Sequence, residues 1–194
     1  MGKEKYLRDV EALFSKSPVV SYSSIEKVGM HRKKGKEYVK RLIHYLTVSG
    51  RIKRLAKGHY TVLDDVSLAV FCFKPAYFGL QDALSYHNLW EQESIPVIIT
   101  SRKVRPGVRT VLGKNVMVRR ILRKYFFGVE YSLQGKIALP YTDVEKTFID
   151  MVYFREKLSG ELLAAFMERL NRKKLKAYLK LYSQRFRERV LSYL

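Results

Sequence analysis

The sequence is poor in cysteine and in long apolar runs. Cys72 is the only cysteine among the 194 residues, which excludes an internal disulfide and a cysteine-rich zinc site. It stands between Phe71 and Phe73, and this apolar setting favours a buried, inert thiol over an activated nucleophile. The longest apolar run, Val66–Phe73, is shorter than the ~18–20 residues of a membrane span, and the N-terminus lacks a secretory signal. We therefore expect a soluble, cytoplasmic protein with no membrane partner.

Catalytic motifs are missing as well. The sequence contains no HExxH, P-loop, GxGxxG or Ser-His-Asp pattern, and its four histidines are scattered. Asp143 and Asp150 lie about two turns apart on one predicted helix, so a metal site there is conceivable. The favoured interpretation is that Asp143 suits the helix dipole and that Asp150 pairs with Lys146 at i,i+4. His87 is interpreted as a hydrogen-bonded core residue, and we predict no catalytic residue, metal or cofactor.

Positive charge is what the sequence has in excess. Lys and Arg number 38 against 18 Asp and Glu, a formal net charge of +20. A field of this sign favours polyanions or anionic membrane surfaces as partners, without choosing between DNA, RNA and lipid. Hydrophobic residues make up 47% of the chain, enough to bury a core in one large domain or two small ones.

The N-terminal third predicts three helices and a hairpin. The first helix carries Tyr6, Val10, Leu13 and Phe14 on one stripe. A capping box at residues 23–26 predicts the start of a short second helix, which Gly29 ends. A third helix follows at residues 36–49 and stops at Gly50. Residues 51–62 then predict a hairpin that turns at Gly58.

Helix, short helix, basic turn, helix and hairpin is the order of a winged helix-turn-helix, which we place at residues 1–64. A helix of this kind fits the DNA major groove, and its N-terminal residues reach base edges. Alternatively the basic turn is only solvated surface, or the domain docks a protein. The predicted contacts to double-stranded DNA are Arg32, Lys33, Lys34, Lys36, Lys40, Arg41, Arg54 and Lys57.

Beyond Asp64 and Asp65, residues 65–194 predict an α+β domain with a small mixed antiparallel sheet and a helical tail from about residue 159. A capping box from Thr142 to Glu145 predicts the start of a helix that runs to about Tyr153. The tail carries a possible second basic surface, which is equally well explained as a solvated helix face. Its candidate residues are Arg172, Lys173, Lys174, Lys176 and Lys180.

Four stretches of the C-terminal part occur in a recognisable order. They are QDALSYHNL at 81–89, IPVIIT at 95–100, RKYFFGVEY at 123–131 and PYTDVEKTFIDMVY at 140–153. Behind an N-terminal domain that ends in RIKRLAKGHYTV, they resemble the AbiEi antitoxins of abortive-infection toxin–antitoxin systems, also described as predicted transcriptional regulators of viral defence. The chain departs from the common pattern at Thr142–Lys146, where many members have Ser-Pro-Glu-Lys.

The resemblance implies a function for each part of the chain. The winged helix would bind repeats in the promoter of its own operon and repress transcription. The C-terminal domain would counteract a nucleotidyltransferase toxin encoded beside it, without a stable complex. A protein-interaction module and an RNA-binding protein that uses the same basic surfaces remain the alternatives.

Overall fold

A computed structural model of the protein describes residues 2–31, 33, 35–90 and 95–194, with side chains from Tyr6 onward. The described chain combines helices with two β-sheets, in agreement with the predicted α+β class. It divides into two compact units, one made of the chain up to Cys72 with residues 110–114, the other of residues 73–109 and 115–194. The first unit extends past the predicted junction and includes most of the 3-10 helix Val66–Phe73, whose Leu68, Ala69, Val70 and Cys72 are buried.

The first unit begins with helices and closes with a small sheet. In this sheet β3 lies between β1 and β2 and is antiparallel to both. Its elements are α1 (Gly2–Lys16), β1 (Val20–Ser21), α2 (Tyr22–His31), α3 (Lys36–Val48), β2 (Lys53–Ala56) and β3 (His59–Thr61).

The apolar stripes of these helices form the core of the first unit, as their spacing predicts. Tyr6 and Val10 of α1 are buried together with Ile25 of α2 and with Val39 and Ile43 of α3. Two of the three glycine signals are confirmed as well, because these glycines adopt the left-handed conformation that favours this residue. They are Gly50 after α3, with φ +70°, and Gly58 in the β2–β3 turn, with φ +75°.

Helix α2 differs from its prediction at both ends. It starts at Tyr22, and the side-chain oxygen of Ser21 accepts a hydrogen bond from the backbone N–H of Ser24 at 3.1 Å. It does not end at Gly29 but continues to His31. A Cβ atom on Gly29 would lie 2.7 Å from Cγ2 of Val39, so the glycine allows α2 and α3 to approach closely.

From residue 73 onward the chain builds a six-stranded sheet and a series of helices. The order of strands in the sheet is β6-β7-β5-β4-β9-β8. The elements are β4 (Ala76–Phe78), α4 (Gln81–Tyr86), β5 (Val97–Thr100), β6 (Gly107–Val111), β7 (Lys114–Arg120), β8 (Val129–Gln134), β9 (Ile137–Thr142), α5 (Val144–Phe154), α6 (Gly160–Arg169), α7 (Arg172–Leu179) and α8 (Gln184–Leu191).

Two strand pairs of the predicted mixed antiparallel sheet are parallel. β5 runs parallel to β7, and β4 runs parallel to β9. The next strand in sequence after β5 is β6, yet β7 lies beside β5. Alternation of apolar residues identifies a strand but not its neighbour, so the sequence pattern could not distinguish these arrangements.

Helix α5 provides the centre of the second core. Phe148, Ile149 and Met151 are buried there, together with Phe166 of α6 and Leu175 of α7. The helical tail, predicted from about residue 159, therefore contributes side chains to this core. None of the helices in the described ranges is long and apolar enough to cross a membrane.

The cap of α5 is one residue later than predicted. Asp143 is the N-cap, and its Oδ1 accepts a hydrogen bond from the backbone N–H of Lys146 at 2.7 Å. Thr142, the predicted cap, instead shares a 2.9 Å hydroxyl hydrogen bond with Thr147. The carboxylate has displaced the hydroxyl because a charge-assisted hydrogen bond at a helix N-terminus is the stronger one.

Candidate nucleic-acid interface

Helix α3 has one buried face and one basic, exposed face. Val39, Ile43 and Leu46 point into the core of the first unit. The residues on the other side are exposed, and they follow the three- and four-residue spacing of a single helix face. They are Lys36, Glu37, Lys40, Arg41 and His44.

The ion pairs that Lys36 and Lys40 of this face form among the described residues are weak. Lys40 Nζ lies 2.7 Å from Glu37 Oε1, and both side chains are more than half exposed. The hydrogen bond between them raises the pKa of Lys40 and lowers that of Glu37. Lys36 Nζ lies 3.9 Å from Glu26 Oε1. Exposed pairs of this kind contribute little and are screened by salt, so a phosphate can displace them.

The turn before α3 is only partly described. Lys33 is exposed and has a left-handed backbone with φ +55°, and its N–H donates to the carbonyl of Met30 at 2.9 Å. Arg32 and Lys34, two predicted DNA contacts, lie outside the described residues.

The β2–β3 hairpin carries two more of the predicted cations, Arg54 on β2 and Lys57 in the turn. Arg54 and Lys57 are both exposed. The turn is held by a hydrogen bond from the N–H of Tyr22 to the carbonyl of Gly58 at 2.7 Å, and β2 contains a register irregularity between Arg54 and Ala56. The first unit therefore presents basic side chains both on a helix and on a rigid hairpin.

One of the five basic residues predicted for the surface of the helical tail is only partly exposed and forms ion pairs. Arg172, Lys173, Lys176 and Lys180 are exposed on or directly after α7. Lys174 Nζ instead lies 3.1 Å from Asp143 Oδ2 and 2.9 Å from Glu145 Oε2. Burial opposes the charged form, but the hydrogen bonds to the two carboxylates outweigh it and raise the pKa of Lys174.

A buried polar network joins α5 to β4. Lys146 and Asp150 form the ion pair predicted at i,i+4, and neither side chain is exposed to solvent. Tyr77 Oη donates to Asp150 Oδ2 at 2.8 Å, and the ammonium lies 5.2 Å from the centre of the Phe127 ring. Burial raises the pKa of Asp150 and of Tyr77 and lowers that of Lys146. The helix spacing indicated the pair, but no local signal identified Tyr77.

The other residues considered for catalysis or metal binding are hydrogen-bonded within the protein or buried. Asp143 Oδ2 accepts a hydrogen bond from Tyr178 Oη at 2.7 Å, so the partners of Asp143 and Asp150 are other side chains. No group of three or more His, Cys, Asp or Glu within the described ranges could hold a metal ion. His87 Nε2 lies 2.7 Å from the carbonyl oxygen of Thr142, which confirms its hydrogen-bonded role, and Cys72 is buried.

Comparisons with known proteins found one solved structure with a similar fold. No protein-family model matches the chain, and no curated protein matches it. The chain is similar to the crystal structure of the RV2827C protein from Mycobacterium tuberculosis, with a TM-score of 0.62 at 13% sequence identity. The similarity covers 96% of this chain and 75% of that one. At this identity the two proteins share a fold, and the comparison indicates nothing about activity.

Proposed function

We propose that the protein is a DNA-binding transcriptional autorepressor and antitoxin that acts in the cytoplasm. In this proposal residues 1–64 form a winged helix-turn-helix, with α2 and α3 as the helix-turn-helix and the β2–β3 hairpin as the wing. The order of the elements supports it, as does the close packing of α2 on α3 at Gly29. In this proposal the protein is not an enzyme and has no membrane partner.

The observation that carries the proposal is the exposed basic face of α3 opposite its buried stripe. A helix in the major groove places its N-terminal residues against base edges, and the residues a turn later against phosphates. Lys36 is therefore assigned to base edges, and Lys40 and Arg41 to the backbone. Arg54 and Lys57 on the wing contact phosphate or the minor groove.

The antitoxin half of the proposal is supported by the resemblance to AbiEi proteins. Its four C-terminal motifs fall on strands β5, β8 and β9 of one sheet and on helices α4 and α5. The partner would be a nucleotidyltransferase toxin encoded next to this chain, counteracted without a stable complex.

Fluorescence anisotropy with the DNA upstream of its own gene, against a scrambled duplex, tests the proposal over a salt series. A preference of about a hundredfold or more at physiological salt is expected for a specific binder. Equal, steeply salt-dependent affinity for both duplexes would overturn the repressor assignment. Strong binding to a structured RNA without operator preference would favour the RNA-binding alternative.

Co-expression tests the antitoxin assignment separately. The full chain is expected to restore growth to cells that express the neighbouring toxin, while size-exclusion chromatography of the two proteins shows no joint peak. A stable joint peak without any DNA preference would instead favour a protein-interaction module.

A further inference from the structure

One internal segment of the chain is strongly basic and lacks acidic residues altogether. Between residues 95 and 129 the sequence has nine Lys and Arg and no Asp or Glu, although the whole chain carries 18 acidic residues. This segment includes β5, β6 and β7 and the loops that follow β5 and β7. Its exposed cations in the second unit are Arg102, Lys103, Arg105, Arg109, Arg120, Arg123 and Lys124.

The parallel pairing of β5 with β7 brings most of these cations to one end of the sheet. Thr100 pairs with Arg120 at the last position of both strands, and the N–H of Ile121 donates to the Thr100 carbonyl at 3.0 Å. The carboxyl ends of parallel strands meet at the same edge of a sheet. The loop after β5, with Arg102 and Arg105, and the segment after β7 therefore leave the sheet side by side.

The loop after β5 is held in place by hydrogen bonds within the protein. The buried hydroxyl of Thr100 donates to the carbonyls of Phe73 at 2.7 Å or Pro75 at 2.9 Å, and it accepts from the N–H of Arg102 at 3.1 Å. Arg109 Nη2 donates to the carbonyl of Arg105 at 2.7 Å. The backbone that carries the cations is thus held in place before any ligand arrives.

The segment after β7 is anchored by an aromatic stack. Residues Arg123–Tyr125 form a short 3-10 turn, and the Tyr125 ring stacks on Tyr182 with centroids 4.1 Å apart and planes 6° apart. Arg123 and Lys124 remain exposed on this turn. Arg119 is different, because it is half-buried and paired with Glu156 at 3.1 Å.

We propose that Arg102, Lys103, Arg105, Arg120, Arg123 and Lys124 form a surface that binds the phosphodiester backbone of a nucleic acid. Four of the six are arginines, whose planar fork matches phosphate oxygens. The contacts read no bases, so they strengthen binding to any sequence. The cations lie on anchored strand ends rather than on an amphipathic helix, which disfavours a membrane surface as the ligand. The proposal goes beyond the repressor function, because it uses other residues and needs no operator.

Two variants of equal charge test this surface in the full chain. The first combines Arg102→Gln, Arg105→Gln, Arg123→Gln and Lys124→Gln. The control combines Arg8→Gln, Lys16→Gln, Lys136→Gln and Lys157→Gln, which are also exposed and belong to none of the proposed binding surfaces. All eight positions are on the surface, and circular dichroism melting verifies that both variants fold.

Binding is measured by anisotropy over a salt series, with a scrambled DNA duplex and an unrelated RNA hairpin as separate probes. The first variant is expected to bind at least about tenfold more weakly, with a slope of log affinity against log salt smaller by about three to four. The control is expected to stay within about threefold of wild type. Loss confined to the duplex identifies DNA as the ligand, and loss confined to the hairpin identifies RNA.

Two results would overturn the proposal. They are wild-type affinity of the first variant for both probes, or an equal loss in the control. Operator preference separates this result from the repressor function. If the first variant keeps its preference while losing affinity, both proposals stand, and if wild type shows no preference, only the repressor function fails.

Discussion

Lys146 and Asp150 form an ion pair one turn apart on α5, and neither side chain has any exposure to solvent. Tyr77 of β4 donates to the second carboxylate oxygen, so the pair connects the helix to the sheet. A buried ion pair contributes little net stability, but the removal of one partner leaves a charge in an apolar surrounding. We therefore expect a single substitution at Lys146 or Asp150 to destabilise the protein.

Replacement of Lys146 by Met is expected to reduce the free energy of unfolding by about 3–5 kcal/mol, because Asp150 loses its counter-charge. The double variant Lys146→Met, Asp150→Leu is expected to be more stable than the single variant, since no lone charge remains. Urea denaturation measures both. A single variant within about 1 kcal/mol of wild type would contradict the network as described.

Gly29→Ala tests the contact between α2 and α3. The added Cβ would lie 2.7 Å from Val39 and 3.0 Å from Tyr6 Oη, and this overpacking is expected to cost about 1–3 kcal/mol. Gly35→Ala is the matched control, because a Cβ added at Gly35 would meet no atom within 4 Å. Thermal unfolding compares the two, and an equal effect at both positions would exclude close packing as the cause.

Asp82 predicts a pH dependence of stability. Burial raises the pKa of Asp82 from 3.8 to about 7, although the hydrogen bond that its carboxylate accepts from the N–H of Val97 acts to lower this pKa. The folded protein then binds a proton that the unfolded chain has released, so this group's stabilising contribution is complete below pH 4 and declines as pH rises towards 7. Asp82→Asn retains an acceptor and is expected to remove this decline. Urea denaturation between pH 4 and 7 measures the difference, and parallel curves for both proteins would contradict it.

The combination Lys36→Ala with Lys40→Ala is expected to weaken binding to the upstream DNA and to reduce the salt slope by about two, one unit per lost contact. The control, Arg8→Ala with Lys16→Ala, removes the same charge from exposed positions of α1. Anisotropy with the upstream and scrambled duplexes measures both. If the α3 variant binds like wild type, the assignment of α3 to the groove is wrong.

Lys174 and its neighbour Lys173 are expected to differ in role. Lys174→Ala removes the counter-ion of Asp143 and Glu145 and is expected to cost about 1 kcal/mol, a value reduced by the partial exposure of the ammonium. Lys173→Ala is expected to leave stability unchanged, because that side chain is exposed. Chemical denaturation measures the free energy of unfolding of the two single variants. Equal values would mean that the ion pairs of Lys174 contribute no more to stability than the exposed side chain of Lys173.

Local patterns in the sequence determined much of the secondary structure. Three- and four-residue spacing identified α1, α3 and the tail helices, because a helix brings such residues onto one face whatever it packs against. Gly50 and Gly58 marked their turns through a backbone conformation that glycine adopts without strain. The pairing of Lys146 with Asp150 also followed from helix geometry alone.

Only the tertiary structure decided what lies between distant segments. It placed β7 beside β5, Tyr77 against Asp150, and Val39 against Gly29, which the sequence had assigned to a helix end. It also separated Lys174, which is held by two carboxylates, from the exposed cations around it. Composition fixes the total charge of the chain, but strand neighbours and burial determine where that charge is available, because both depend on contacts that no local pattern encodes.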